Sequence, residues 1–198
     1  MSDTVTFRQW MNQVKATSLA EALAPLGSQR IGRYQVELAN SQNPHFVDEP
    51  SLLSQGIRLT RSEEKHLVDS AALYWVLAIR TGITLSAIQQ TQKHLSKRIS
   101  EGKSTLQQKT VQSEIGEALS LISEVLALTE LDAPLTTLPP LSPQDYAHLS
   151  QCLTQAASRV SRLMGGHGFI KGGIEFPLSL SHHLWSLTQS EPVEVARV

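Results

Sequence analysis

The sequence predicts an all-α fold, an antiparallel helical bundle preceded by a small mixed segment, and three observations carry that reading. Between Ser62 and Leu187, apolar residues recur at spacings of three and four along several long segments. Helix-start signals stand ahead of three of these segments. Short polar or Pro/Gly-rich stretches separate them, and each apolar stripe needs a partner to bury against.

The first long helix follows Thr60-Arg61-Ser62-Glu63, which has capping-box spacing, and Leu67, Ala71, Tyr74 and Ala78 carry its stripe on toward Leu95. Gly82 is the expected place for a bend. Ser104-Thr105-Leu106-Gln107 marks the second start, and Val111, Ile115, Ala118, Ile122 and Val125 share one face. The stretch from Leu131 to Pro140, with three prolines, ends it. Ser142 then precedes Pro143 at a favoured first helical position, with Asp145 in the first turn. Tyr146, Leu149, Leu153, Ala156, Val160 and Leu163 form the third stripe, and Phe176 to Leu187 supply a fourth helix.

The first 60 residues give weaker signals. Phe7 to Leu26 read as one or two short helices, with Ser18 and Glu21 spaced as a capping box. Arg30 to Leu38 alternate like a short strand, with Gly56 to Thr60 as its candidate partner. Asn40 to Pro50, rich in proline and asparagine, read as a loop. The organisation is thus a small mixed segment over 1–60, a four-helix bundle over 61–190 and a flexible tail over 191–198. No internal repeat or low-complexity tract interrupts it.

Composition narrows the function classes. The 198 residues, 40% of them hydrophobic, suit one principal core. A formal net charge of -1 gives no global basic excess for gripping a nucleic-acid backbone, so nucleic acid is not an expected partner. No apolar run is read as long enough for the roughly 20 residues a membrane span requires, and Met1 to Arg8 lacks a signal pattern. No membrane association is expected, and the expected compartment is the cytoplasm. Cys152 is the single cysteine, so it has no internal disulfide partner, and its apolar neighbours Leu149, Leu153 and Ala156 mark it as a buried small residue.

Two turns carry most of the functional signal. Arg98-Ile99-Ser100-Glu101-Gly102 closes the first long helix, and Gly165-Gly166-His167-Gly168-Phe169 closes the third. Glycines here let backbone approach a ligand or a neighbouring chain closely. Taken in order, a long helix holding Gly82, the arginine turn, a second helix, a long loop, a third helix, the glycine turn and Glu175-Phe176-Pro177 opening a last helix, the chain resembles the C-terminal helical domain of acyl-CoA dehydrogenases.

That resemblance implies a flavin site shared between subunits. The two turns would hold the pyrophosphate and adenine end of an FAD belonging to a neighbour, with Arg98 and Ser100 toward phosphate and Gly102, Gly165, Gly166, His167 and Gly168 shaping the approach. Glu101 departs from the family, which has an aromatic residue there, and a carboxylate opposes phosphate. Lys109 stands near a usual glutamine. The resemblance also implies a homo-oligomer or a larger flavoprotein partner, because residues 1–60 are too few to supply the two further domains of full-length members.

Acyl thioester oxidation needs a carboxylate base while flavin accepts hydride. One family position for that glutamate falls at Ala72, which accepts no proton. At the other, near Gln189 to Pro192, Glu191 is the candidate base, although no Glu-Gly-Thr follows and such a residue is more often a solvated tail charge. The expectation is therefore a non-catalytic or partner-dependent flavoprotein subunit. Its alternative is an FAD-dependent oxidoreductase acting on the CH-CH group of an acyl thioester.

Other features have simpler expectations. Adjacent His182 and His183 diverge by about 100° on a helix and chelate poorly, so no metal is expected. His167 is expected to satisfy a helix carbonyl. Lys93, Lys97, Arg98 and Lys103 suit a phosphate, but equally the C-terminal dipole of the helix they end. Tyr74 and Trp75 are expected in the core.

Overall fold

The computed structural model describes residues 5–16, 30–31, 34–38, 46–47, 57–61, 70–100, 102–129, 132–134, 137–170 and 173–189. Among these, five α-helices dominate: α1 (Phe7–Ala16), α2 (Ser70–Lys97), α3 (Lys109–Leu128), α4 (Pro143–Met164) and α5 (Glu175–Gln189). The protein is predominantly helical. A small antiparallel sheet comes from the N-terminal segment, formed by β1 (Arg30–Ile31), β2 (Tyr34–Leu38), β3 (Phe46–Val47) and β4 (Ile57–Arg61) in the order β1-β2-β4-β3.

The strand expected at Tyr34 to Leu38 pairs with the segment expected to partner it, Tyr34 opposite Arg61 and Leu38 opposite Ile57. Two expectations fail here. Phe46 and Val47, read as loop, pair with Thr60 and Leu59 as an edge strand. Thr60 and Arg61, read as opening a helix, instead end β4, because each has a ladder partner on β2. The Ser18–Glu21 capping box lies outside the described residues, as does the tail over 191–198.

α2 is central because its first half has no polar face to offer water. Every residue from Tyr74 to Thr84 is buried. Its Ala72–Lys97 stretch is long and apolar enough to cross a membrane by length and composition alone, which corrects the expectation that no segment is. However, 78% of the apolar window is buried inside the protein, where other helices cover it. Thr81 and Thr84 donate their hydroxyls to the carbonyls of Leu77 and Arg80, 2.7 and 2.8 Å away, so these polar groups need no outside partner.

α1 covers one side of α2 through Phe7, Trp10 and Val14, with Trp10 stacked on Trp75 at 6.3 Å. α2 passes through Gly82 without interruption. The glycine serves a close approach: a Cβ there would meet the Met11 carbonyl oxygen at 2.7 Å and Val14 Cβ at 2.9 Å. On the other side, α2 packs against α4 and α5, and α4 also packs against α3.

Named contacts give the helix directions. Arg159 near the end of α4 reaches Glu114 near the start of α3 at 2.8 Å, and His148 near the start of α4 meets Glu124 near the end of α3 at 2.7 Å. Those two helices are antiparallel. Likewise Tyr146 meets Thr188, and Ser161 donates to Glu175, which makes α4 and α5 antiparallel. Tyr74 donates to the Pro139 carbonyl just ahead of α4, and Arg80 to Thr154 within it, so α2 and α4 run parallel. Up-down-up-down order follows, with the carboxyl ends of α2 and α4 at one end of the bundle.

The predicted faces of α3 and α4 are the buried ones. Val111, Ile115, Ala118, Ile122 and Val125 are all in the core, as are Tyr146, Leu149, Leu153, Ala156 and Val160, while Leu163 is half-buried. Ser142 caps α4 by accepting from Asp145 N at 3.1 Å, with Pro143 next to it.

Candidate functional site

The carboxyl end of α2 is closed by its own continuation. Ile99–Ser100 and Lys103–Ser104 form a short antiparallel pair, β5 and β6, and Gly102 at a φ of 75° makes the turn that few other residues adopt. Ser104, read as a helix start, instead donates its hydroxyl to the Leu95 and Ser96 carbonyls, both at 3.1 Å. Thr105 donates through N and Oγ1 to the Arg98 carbonyl at 2.8 and 3.0 Å. These hydroxyls take up carbonyls that the ending helix leaves free, which is why α3 begins only at Lys109 after a 3-10 turn over Thr105–Gln107.

The end of α4 is built differently. Gly165 takes φ 52° and ψ -142°, and its N–H returns to the Ser161 carbonyl. A 3-10 turn over Gly165–Phe169 follows, and Gly173 N donates to the Ile170 carbonyl at 2.6 Å before α5 starts. The Ser161 hydroxyl on Glu175 ties the two sides of the turn together.

Because α2 and α4 run parallel, these ends meet. Gln90, Lys93, His94 and Lys97 fall on one helical face and, with Met164, His167, Ile170 and Gly173, line a groove of about 300 Å³. The His94 and His167 rings stack at 4.0 Å, 19° apart. Four of the eight lining residues are basic or imidazole side chains, and none is acidic. Burial, then His167 and then Arg98 hold the His94 imidazole below its ordinary range. The burial part of that shift disfavours any charge, but the part from His167 and Arg98 reports a positive field, which with Lys93 and Lys97 attracts an external anion. The cations also complement the negative end of the α2 dipole, which favours their placement whether or not a ligand binds.

The sequence-predicted residues divide around this groove. His167 lines it, in a ring stack rather than on a helix carbonyl as expected. Arg98 is exposed one residue beyond Lys97, and its guanidinium makes no hydrogen bond or ion pair among the described residues. Ser100 and Gly102 lie on the adjoining hairpin, and Gly165 and Gly166 are exposed where the glycine turn begins. Gly168 is buried instead, with Glu175 Cγ only 3.0 Å from where a Cβ would stand. Glu191 lies outside the described residues, and Ala72 is fully buried. Ile99, Phe169 and Ile170 are 66%, 76% and 56% exposed around the two turns, an apolar fringe beside the cations.

Sequence reading missed Gln90 and His94, although their spacing with Lys93 and Lys97 places all four on one face. It also missed the surroundings of Cys152. The residue is buried as expected, but its thiol lies beside Glu124 and His148. No protein-family model matches this chain, and no curated protein matches it in sequence.

Proposed function

We propose that the chain is a helical flavoprotein subunit, similar to the C-terminal domain of acyl-CoA dehydrogenases, that grips the phosphate-bearing end of an FAD whose remainder another chain holds. The cationic groove between the end of α2 and the glycine turn carries this reading. Lys93 and Lys97 line the groove with phosphate-binding charge, exposed Arg98 follows just outside it, and no lining carboxylate opposes them. At about 300 Å³ the groove is at the small end of ligand pockets, with room for a phosphate-bearing fragment rather than a whole dinucleotide. A second chain, whether a copy of this one or a larger partner, would then complete the site. The exposed Phe169 and Ile170 beside the groove suit such a contact.

The element order supports the same reading: a long glycine-bearing helix, an arginine turn, a helix, a long loop, a helix, a glycine turn and a last helix. The alternative, oxidation of a CH-CH bond in an acyl thioester, is less well supported, since Ala72 supplies no base and no carboxylate lines the groove. Arg98→Ala is expected to lower FAD affinity about ten- to a hundredfold, the loss of one charge-assisted contact worth roughly 1.5–3 kcal/mol, as read by flavin fluorescence with and without the oligomer formed. Equal affinity in both proteins would remove Arg98 from the site.

A further inference from the structure

Away from the groove, α3 and the first half of α4 bring together three side chains with a common aim. His148 and Cys152 lie one turn apart on the same face of α4, and Glu124 faces them from α3. His148 Nε2 is 2.7 Å from Glu124 Oε1, and Cys152 Sγ is 3.8 Å from both Glu124 Oε2 and His148 Nε2. The three donor atoms all fall within 4.8 Å of one another.

The details of that convergence discriminate between its uses. A thiol, an imidazole and a carboxylate can form a nucleophilic relay, but the relay needs the acid on one ring nitrogen and the thiol on the other. Here both address Nε2, which offers either one hydrogen or one lone pair and cannot serve both groups fully. Three donors aimed at one spot are satisfied together by a cation. A thiolate, an imidazole and a carboxylate form a donor set of the borderline-soft kind that zinc takes, and together they carry two negative charges against its two positive ones. Zinc-ligand bonds near 2.0–2.3 Å set tetrahedral donors about 3.5 Å apart. The present separations reach that by small side-chain adjustments.

The surroundings fit a held ion. Cys152 is 4% exposed, whereas the His148 and Glu124 side chains are 56% and 45% exposed, so sulfur anchors the inner side and water can reach the outer one. The helix register that aligns the donors is independently fixed by Arg159 on Glu114 further along the interface. We propose that Glu124, His148 and Cys152 form a zinc site that ties α3 to α4, with water as fourth ligand. On binding, the Cys152 thiol loses its proton to solvent and the sulfur bonds to the metal. By helical rise the site is about 18 Å along α4 from Met164 in the groove, so it functions apart from any nucleotide there.

Cys152 is the only cysteine, so a sulfur-to-metal charge-transfer band reports this site alone. Equimolar Co²⁺ added to the reduced, metal-free protein is expected to give that band with tetrahedral d–d absorption, both displaced by Zn²⁺. Zn²⁺ should also raise the melting temperature of the native chain but not of Cys152→Ser. His148→Gln, at an exposed position that leaves the core untouched, should weaken Co²⁺ binding by about tenfold or more, while the His182→Gln/His183→Gln double variant leaves it unchanged. Absence of the charge-transfer band, or a band that persists at full affinity in both His148→Gln and Glu124→Gln, overturns the proposal.

Discussion

Arg80 is 1% exposed in the middle of α2, and no carboxylate pairs with it among the described residues. Its Nε donates to Ser181 at 3.2 Å, one Nη to Thr154 at 2.8 Å, and the guanidinium carbon lies 5.5 Å from the centre of the Trp185 ring. The other terminal nitrogen has no partner. Burial, countered in part by Tyr146, lowers its pKa to about 10, well below the ordinary arginine range. That shift is equivalent to about 3 kcal/mol against the charged form. Because the folded value is below the unfolded one, the penalty is complete below pH 10 and lifts only as pH rises beyond it toward the ordinary arginine range. The cation–π contact returns about 1–2 kcal/mol. Arg80→Met keeps most of the side-chain volume, removes the buried charge and forfeits that contact and two hydrogen bonds. The relieved penalty and the lost contacts nearly cancel, so its expected effect is a change within about 1 kcal/mol of zero at neutral pH, as for other buried charges replaced by apolar groups. Arg80→Ala, which leaves a cavity, should instead lose about 2–4 kcal/mol. Urea unfolding followed by circular dichroism measures both. A loss of more than about 1 kcal/mol in Arg80→Met would show that the contacts to Ser181, Thr154 and Trp185 outweigh desolvation.

Three further outcomes follow from the packing and the groove. Gly82→Ala would gain about 1 kcal/mol on helix propensity alone, but the approach of Met11 and Val14 predicts a net loss of about 1–3 kcal/mol from overpacking, so the sign of the change in urea midpoint tests whether α1 seats there. Protonation of His94, disfavoured in the free protein, should be restored by a bound anion, so the affinity for sulfate, whose charge is constant over this range, is expected to rise by calorimetry as pH falls below 6.5, and a flat profile would exclude the histidine pair from binding. The same depressed pKa makes His94 a stabilising group above 6.5 whose contribution fades as pH falls through its folded value, and His94→Gln should flatten the acid limb of stability against pH.

The parts legible in the sequence were those governed by local periodicity. The α3 and α4 stripes name the buried residues because amphipathic spacing alone decides which face turns inward. The start of α2 was harder, since Thr60 and Arg61 satisfy a capping pattern and a strand ladder equally well and only the distant partner Tyr34 selects the ladder. Ser104 showed the same ambiguity: its hydroxyl suits the start of one helix, but the free carbonyls of Leu95 and Ser96 claim it. Cations at the end of α2 were visible as a cluster. Their meeting with His167 was not, because it depends on α2 and α4 running parallel, which no local pattern encodes. The placement of Glu124 against His148 and Cys152 likewise rests on interhelical register.

On the proposed function, the groove holds the phosphate end of a nucleotide while another chain holds the flavin. Titrating the chain at low salt with FAD, ADP and riboflavin in parallel tests it most directly. FAD and ADP are expected to bind with similar, modest affinity, Lys93→Glu/Lys97→Glu to abolish both, and riboflavin, which lacks phosphate, not to bind. Riboflavin binding as tightly as FAD, or no binding of FAD and ADP, would contradict it.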